Sequence, residues 1–232
     1  MKLFAISDLH ISSNTDKPMD VFGGNWIGYL EKIIADWQEK VSDEDIVLIG
    51  GDISWAMDME EAKVDLDKLS SLKGKKIIIK GNHDYWWGSI SRVRDMLPEN
   101  FIALQNDSVK IDNLVICGSR LWSVPGSPDF TEQDNKIYLR EIERLKLSIK
   151  SAQKLMQEGD KLIALIHYPP FNVRRENSAY TDLFEEYKVD AVVYGHLHGK
   201  SVRADKLVIK NGIKYYLTSC DQVENKLTEI TL

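Results

Sequence analysis

Five histidines, at positions 10, 83, 167, 196 and 198, each follow a short apolar run. Asp8-Leu9-His10 follows Leu3-Phe4-Ala5-Ile6-Ser7, and Asn82-His83-Asp84 follows Lys76-Ile77-Ile78-Ile79-Lys80 by way of Gly81. His167 follows Leu162-Ile163-Ala164-Leu165-Ile166, and Gly195-His196-Leu197-His198 follows Ala191-Val192-Val193-Tyr194. A further run, Ile46-Val47-Leu48-Ile49, ends in Gly50-Gly51-Asp52. An isolated histidine is most simply a hydrogen-bonded structural residue. All five at the ends of such runs point instead to one shared site. The collected groups are Asp8, His10, Asp52, Asn82, His167, His196 and His198, with His83 and Asp84 alongside. Seven ligands exceed what one ion needs, so two divalent ions are expected. A nitrogen and oxygen set without thiolate suits Mn²⁺, Fe or Zn²⁺ better than a structural zinc. Two metals ~3.5–4 Å apart suit in-line displacement at phosphorus.

The elements that must position these groups follow from the same runs. Bounded by glycine or polar residues, the runs read as buried strands. Sites in open α/β sheets form where the carboxyl ends of strands converge. Residues two apart in an extended chain face one side, so Asp8 and His10 can face one ion. Helical spacing of Ile27, Leu30, Ile33, Ile34 and Trp37 predicts a helix over 26–40. Another begins near Asp58 as cap, with Ala62, Leu66, Leu69 and Leu72 as its buried stripe. Residues 88–97 make a short helix stopped by Pro98. This β-α-β-α-β-α order implies parallel strands joined by crossover helices. The loop from Ile11 to Asn25 is expected to pass over the site.

Residues 101–117 read as short strands broken at Asn106-Asp107 and Asp112-Asn113. The run Leu114-Val115-Ile116-Cys117 ends in Gly118-Ser119-Arg120, where Arg120 is either a phosphate clamp or a structural ion pair. Thr131 with Asp134 forms a capping-box pattern opening a helix to about Glu158. Its apolar face is Tyr138, Ile142, Leu145, Ile149, Ala152 and Met156. Residues 178–187 read as helical. Asn211-Gly212 predicts a hairpin between Ser201–Lys210 and Ile213–Thr218, and 226–231 reads as a last strand. One α/β domain over 1–232 is expected.

The bulk numbers set limits. Of 232 residues, 43% are hydrophobic and 28% charged, the balance of an ordinary globular protein. A net charge of −6 argues against a general nucleic-acid scaffold, while leaving room for one nucleotide in a metal-lined pocket. Two cysteines, a weak N-terminal apolar stretch and runs far below ~20 apolar residues predict a cytoplasmic protein with reduced thiols and no membrane span.

The ordered set Asp8-x-His10, Gly51-Asp52, Gly81-Asn82-His83-Asp84, His167 and Gly195-His196-x-His198 resembles the calcineurin-like metallophosphoesterases. The resemblance implies a four-layer α-β-β-α sandwich of two mixed sheets with a dinuclear site at the strand carboxyl ends. It implies that Asp8, His10 and His198 hold one metal, that Asn82, His167 and His196 hold the other, and that Asp52 bridges them. His83 would donate a proton to the leaving oxygen, with Asp84 hydrogen-bonded to it. The expected reaction is hydrolysis of a small phosphomonoester or phosphodiester by attack of a metal-bridging hydroxide. Two rivals are a non-catalytic metal-stabilised interaction module and a protein Ser/Thr phosphatase. The latter branch continues its Gly-Asp motif to a phosphate-gripping arginine, whereas here Ile53-Ser54-Trp55-Ala56 follows. Arg120, Arg174, Arg175, Lys200 and Arg203 are candidates to replace it. Trp55, Tyr85-Trp86-Trp87, Tyr168 and Phe171 border the motifs. Most are expected to pack the sheet edges, with one or two left exposed and Trp86 a candidate substrate contact, which favours a nucleotide or other small aromatic phosphodiester.

Overall fold

The structure is a computed structural model, and the described residues are 1–14, 17, 19–199 and 201–232. The strands are β1 (Leu3–Ile6), β2 (Ile46–Ile49), β3 (Lys75–Ile79), β4 (Phe101–Leu104), β5 (Asp107–Ile111) and β6 (Leu114–Ser119), then β7 (Lys161–Ile166), β8 (Ala191–Tyr194), β9 (Leu207–Lys210), β10 (Ile213–Leu217) and β11 (Thr228–Glu229). The helices are α1 (Tyr29–Lys40), α2 (Met59–Ser70), α3 (Ile90–Met96), α4 (Glu132–Gln153) and α5 (Ala179–Glu186). One sheet has the order β11-β1-β2-β3-β4 and the other β5-β6-β7-β8-β10-β9. β1 to β4 run parallel with β11 antiparallel at the edge, and β6, β7, β8 and β10 run parallel between antiparallel β5 and β9.

Period-two alternation sorts the strand residues into layers. In β1, Leu3 and Ala5 point between the sheets, where Ile46, Leu48, Ile77 and Ile79 meet Ile116, Ile163, Leu165 and Val193 of the other sheet. Phe4 and Ile6 point outward onto Ile33 and Trp37 of α1 and Leu66 of α2. On the far side, Cys117, Ala164 and Val192 pack against Tyr138, Ile142, Leu145 and Ile149 of α4 and Phe184 of α5. This is the expected four-layer sandwich of two mixed sheets. Strands buried on both faces read as unbroken apolar runs.

The expected capping box opens α4, with Thr131 Oγ1 accepting from Asp134 N and the Asp134 carboxylate accepting from Thr131 N. The helix ends at Gln153 rather than near Glu158, because Leu155 N and Met156 N both turn back onto Ala152 O and Asp160 closes the following turn. Met156 still packs on the core from beyond the helix. Asn211 and Gly212 both adopt positive φ (51° and 82°), and the hairpin closes with Lys210 opposite Ile213. Its first strand starts at Leu207, not Ser201, and the last strand shrinks to Thr228–Glu229. The helix expected over 26–40 starts at Tyr29, after 3-10 turns at Met19–Phe22 and Gly24–Trp26. Among the described residues no helix is long and apolar enough to cross a membrane. Both cysteines are free and buried.

Ser7 bridges Ser219 in parallel, and Ser7 N donates to Thr218 O at 2.8 Å. That contact joins the carboxyl end of β1 to that of β10. The carboxyl ends of the parallel strands in both sheets therefore meet along one edge.

Candidate metal centre

At that edge the backbone leaves its ordinary range. Asp8, His10, Asp52 and His196 adopt φ of 58°, 46°, 52° and 69°. Positive φ costs non-glycine residues energy and concentrates at functional sites. The conformations are held by hydrogen bonds between loops: Asp8 N to Gly51 O at 3.0 Å, His10 N to Asp52 O at 2.9 Å and His196 N to Asp8 Oδ2 at 2.9 Å. Gly195 allows the close approach, since a Cβ there would lie 2.6 Å from Asp8 Oδ2. Gly81 is tighter still, because its Cβ would collide with the Asp52 carboxylate.

The side chains form two linked sets. Asp8, His10, Asp52 and His198 bring one ligand atom each within 4.8 Å of one another. In this set His10 Nε2 lies 3.3 Å from His198 Nε2 and 3.8 Å from Asp52 Oδ2. In the second set, Asn82 Oδ1 lies 2.7 Å from His167 Nε2 and 3.0 Å from His196 Nδ1. Asp52 Oδ2 is 3.5 Å from His167 Nε2, so one oxygen neighbours both sets. Asp52 Oδ1 is occupied separately, accepting from His83 N at 2.7 Å.

Protonation follows from burial. His167 Nδ1 stands 2.8 Å from the Gly50 carbonyl, which can only accept, so the ring proton sits on Nδ1 and the Nε2 lone pair points inward. Burial pushes the His167 imidazole down to about 3 and that of His196 to about 2, the neighbouring histidines adding to the second shift. Burial also drives His10 well below the usual imidazole range, with His198 next in effect, and lowers His198 itself. Four neutral imidazoles are four available lone pairs. Burial lifts the Asp52 carboxyl to about 6 and, with the Asp52 charge, raises Asp8 well above the ordinary carboxylate value.

These donors fit a pair of divalent cations. Asp52 Oδ2 and His10 Nδ1 are buried without a hydrogen-bond partner among the described residues. A buried carboxylate oxygen left bare costs several kcal/mol unless a cation meets it. Asp52 Oδ2 stands 3.8 Å from His10 Nε2 and 3.5 Å from His167 Nε2. The set holds no thiolate.

Asp84 is placed differently from the expectation. It is fully buried, and its Oδ2 accepts from Asp52 N at 2.9 Å and Gly81 N at 2.7 Å. Its Oδ1 accepts from Ile53 N at 2.8 Å, Ser54 N at 3.2 Å and Trp86 Nε1 at 3.0 Å. Burial, with the Asp52 charge, raises its carboxyl to about 6, so it is ionised at neutral pH and five N–H donors meet the charge. His83 Nδ1 is buried with no partner among the described residues, so Asp84 does not bond it. The carboxylate instead braces the loops that carry Asp52 and Asn82. Trp86, expected at the substrate, is 2% exposed and spends its indole N–H on that brace. The exposed ring of this segment is Tyr85, at 54%. Trp55 stacks on His10 at 4.7 Å and 22°, and its centroid is 4.7 Å from His83.

The basic candidates separate as well. Arg120 lies at the site: its carbonyl accepts from His167 N and Tyr168 N, and its guanidinium stands over Trp122 at 5.0 Å and 3.9 Å from Glu141. Arg174 turns to Glu176 at 3.1 Å, and Arg175 pairs with Asp205. Arg203 Nη1 donates to Val202 O at 3.0 Å, and Lys200 lies outside the described residues. Trp26, the first residue after the loop expected over the site, lies 6.0 Å from the His198 ring, and Tyr29 beyond it donates its hydroxyl to His10 O at 3.1 Å.

Sequence reasoning missed Asp221. It is 4% exposed, accepts from Gly199 N at 2.7 Å, leaves Oδ1 unpartnered among the described residues, and its charge acts on His198. The signal was present: Ile213–Leu217 ends in Thr218-Ser219-Cys220-Asp221, an apolar run followed by polar groups.

Comparison with known proteins bears on this centre. The chain is similar to an uncharacterized metallophosphoesterase of Helicobacter pylori, 24% identical over 212 residues, covering 90% of this chain and 48% of that protein. It is also similar to a probable cyclic nucleotide phosphodiesterase of Xenorhabdus bovienii, 29% identical over 86 residues, 36% of this chain and 34% of that protein. The chain thus spans about half the length of the first and a third of the second. Two solved structures share the fold. A protein of unknown function from Aquifex aeolicus aligns with TM-score 0.55 at 14% identity, over 98% of this chain and 95% of that one. A protein of Thermus thermophilus aligns with TM-score 0.61 at 11% identity, over 99% of this chain and 97% of that one. The family model for calcineurin-like phosphoesterases matches residues 1–200, which contain every residue of both sets. The chain belongs to the calcineurin-like phosphoesterase family.

Proposed function

We propose that the chain hydrolyses small phosphodiesters, aromatic ones such as nucleotides foremost, at a dinuclear centre of manganese, iron or zinc. The observation that carries the reading is Asp52 Oδ2, which stands 3.8 Å from His10 Nε2 and 3.5 Å from His167 Nε2 with no hydrogen bond of its own among the described residues. Asp8, His10 and His198 would hold one ion, Asn82, His167 and His196 the other, and Asp52 both. When bound, two such ions activate a water and offset charge at phosphorus. The chain's own residues do the rest. Neutral imidazoles keep their lone pairs turned inward without competing protons.

His83 belongs to neither ligand set. Its backbone N–H is tied to Asp52 Oδ1, which fixes the ring beside the centre, 5.6 Å from the His10 ring. Nδ1 is sealed from water, so Nε2 is the nitrogen through which the ring can pass a proton to the departing oxygen. A module that only binds metal has no use for such a histidine, which favours turnover over the non-catalytic rival. The diester preference is supported by the Ile53-Ser54-Trp55-Ala56 continuation after Asp52, where no arginine awaits a dianion. Trp55 and the exposed Tyr85 flank His83, and a base stacked on such a ring gains ~1–3 kcal/mol. The relative named a probable cyclic nucleotide phosphodiesterase agrees with this preference. The test is kcat/KM, with Mn²⁺ added, for bis(p-nitrophenyl) phosphate and a cyclic nucleotide against a phosphoserine peptide. The diesters are expected to be faster. A faster peptide refutes the diester preference, and no turnover of any of the three refutes the enzyme.

A further inference from the structure

A cavity of about 720 Å³ opens beside the centre. Its described lining comes from the chain after β6, after β7 and from the end of β8 to the start of β9: residues within 123–134, 168–175, 194–197 and 201–208. It meets the two ligand sets at one residue, His196. Its apolar surfaces include Phe130, Tyr168, Phe171, Leu197, Ala204 and Val208. Tyr168 lies against the His196 imidazole at 4.0 Å, so an aromatic wall runs from the cavity to the ligand itself. This volume is in the range of sites for nucleoside-sized molecules, and apolar lining with few polar groups is their usual character.

Among the described residues, the charged ones lining the cavity are Asp129, Asp134, Asp205, Arg175 and Arg203, three acids to two bases, and Arg203 Nη1 donates to Val202 O at 3.0 Å. Arg175 is paired with Asp205, and Asp134 is committed to the cap of α4 and to Trp122 Nε1 at 2.8 Å. Asp129 is an acid that would repel a phosphate. The cavity is therefore suited to an uncharged ring rather than to a second phosphate.

It also lies away from His83. The His83 ring neighbours are His10, Trp55 and Tyr85, and neither His83 nor any of these three lines the cavity. In an in-line displacement the entering and departing oxygens take opposite apical positions. The departing alcohol must stand beside its proton donor, so the group in the cavity is the one that stays.

We propose that this cavity binds the uncharged, nucleoside-sized aromatic substituent that remains on phosphorus, and so selects the diester. The inference rests on the phosphodiester reading above. In the reaction a water oxygen forms the new bond to phosphorus and the bond to the departing alkoxide breaks. The alkoxide keeps the bonding pair and takes a proton from His83. The products are an alcohol and a phosphomonoester carrying the aromatic group, joined in one molecule where the diester is cyclic. The water releases its protons to solvent, from which His83 is reprotonated.

Ala204 is half-buried on the cavity wall, and Ala204→Trp would fill the space. Two readouts test the proposal on the Mn²⁺-loaded protein. The first is the kcat/KM ratio of thymidine 5′-(p-nitrophenyl phosphate) to methyl p-nitrophenyl phosphate, expected to exceed 10 and to fall at least tenfold in Ala204→Trp. The second is calorimetric binding of phenyl methylphosphonate against methyl methylphosphonate, which needs no turnover. Tighter binding of the phenyl compound, lost in Ala204→Trp, supports the pocket even when neither ester is hydrolysed; that outcome sinks the phosphoesterase reading alone. Equal affinities in the wild type, or a preference unchanged in a folded Ala204→Trp, overturn the pocket. Should Ala204→Trp fail to fold, Phe130→Ala removes one wall, and an unaltered phenyl preference there overturns it equally.

Discussion

Replacing Asp84 by asparagine distinguishes a brace from a proton partner. The carboxylate accepts five N–H groups, two on Oδ2 and three on Oδ1. An asparagine satisfies most donors by turning its oxygen to the three. Its NH₂ then faces the N–H groups of Asp52 and Gly81, both buried residues. Hydrogen bonds to a charged acceptor contribute ~1.5–3 kcal/mol each, so losing two costs about 3–6 kcal/mol. That is a large part of the ~5–15 kcal/mol by which a domain is stable. The assay is urea unfolding followed by tryptophan fluorescence, reading the midpoint at constant slope. Activity should fall with it, because the loops carrying Asp52 and Asn82 lose their common support. Loss of less than about 1 kcal/mol together with lost turnover would refute the brace and return Asp84 to His83.

His83→Asn should keep its metals and lose ~10²–10⁴ in rate on alkyl or ribose esters, and much less on p-nitrophenyl esters, whose leaving group departs unprotonated; equal losses would exclude the acid role. Lys76 is fully buried, its ammonium donates to Leu72 O, and burial lowers it to about 8. Between pH 8 and about 10.4 the unfolded chain holds the proton that the fold has shed, so stability rises with pH, and below 8 the fold carries the whole penalty. Lys76→Met should therefore stabilise by about 1–2 kcal/mol at pH 7 and by nothing at pH 10.5, and destabilisation at pH 7 would contradict this. Chelation should lower the thermal midpoint, since each ion at 100 times its Kd contributes about 2.7 kcal/mol; an unchanged midpoint would mean the apoprotein needs no cation.

Much of the site was legible because chemistry at strand ends leaves a local mark, an apolar run closed by glycine and a polar cluster. The layered fold was legible for the same reason, since strands buried on both faces cannot hide their composition. What escaped was direction. Asp84 stands next to His83 in sequence, yet the backbone N–H groups of Gly81 after β3 and of Asp52, Ile53 and Ser54 after β2 all converge on its carboxylate. Trp86 and Trp87 are adjacent to exposed Tyr85, but both rings turn inward, and which of three consecutive aromatics faces water depends on a loop conformation without periodicity. Asp221 sits 23 residues past the last histidine, and only the parallel pairing of β8 with β10 brings it to the centre. The cavity is assembled from three loops far apart in the chain, and nothing local announces it.

The central claim is that one carboxylate joins two ligand sets, and elemental analysis of Asp52→Asn tests it most directly. The wild type, loaded and desalted, should hold close to two transition-metal ions per chain, and Asp52→Asn should weaken both sites. Full occupancy of both in the folded variant would contradict the account.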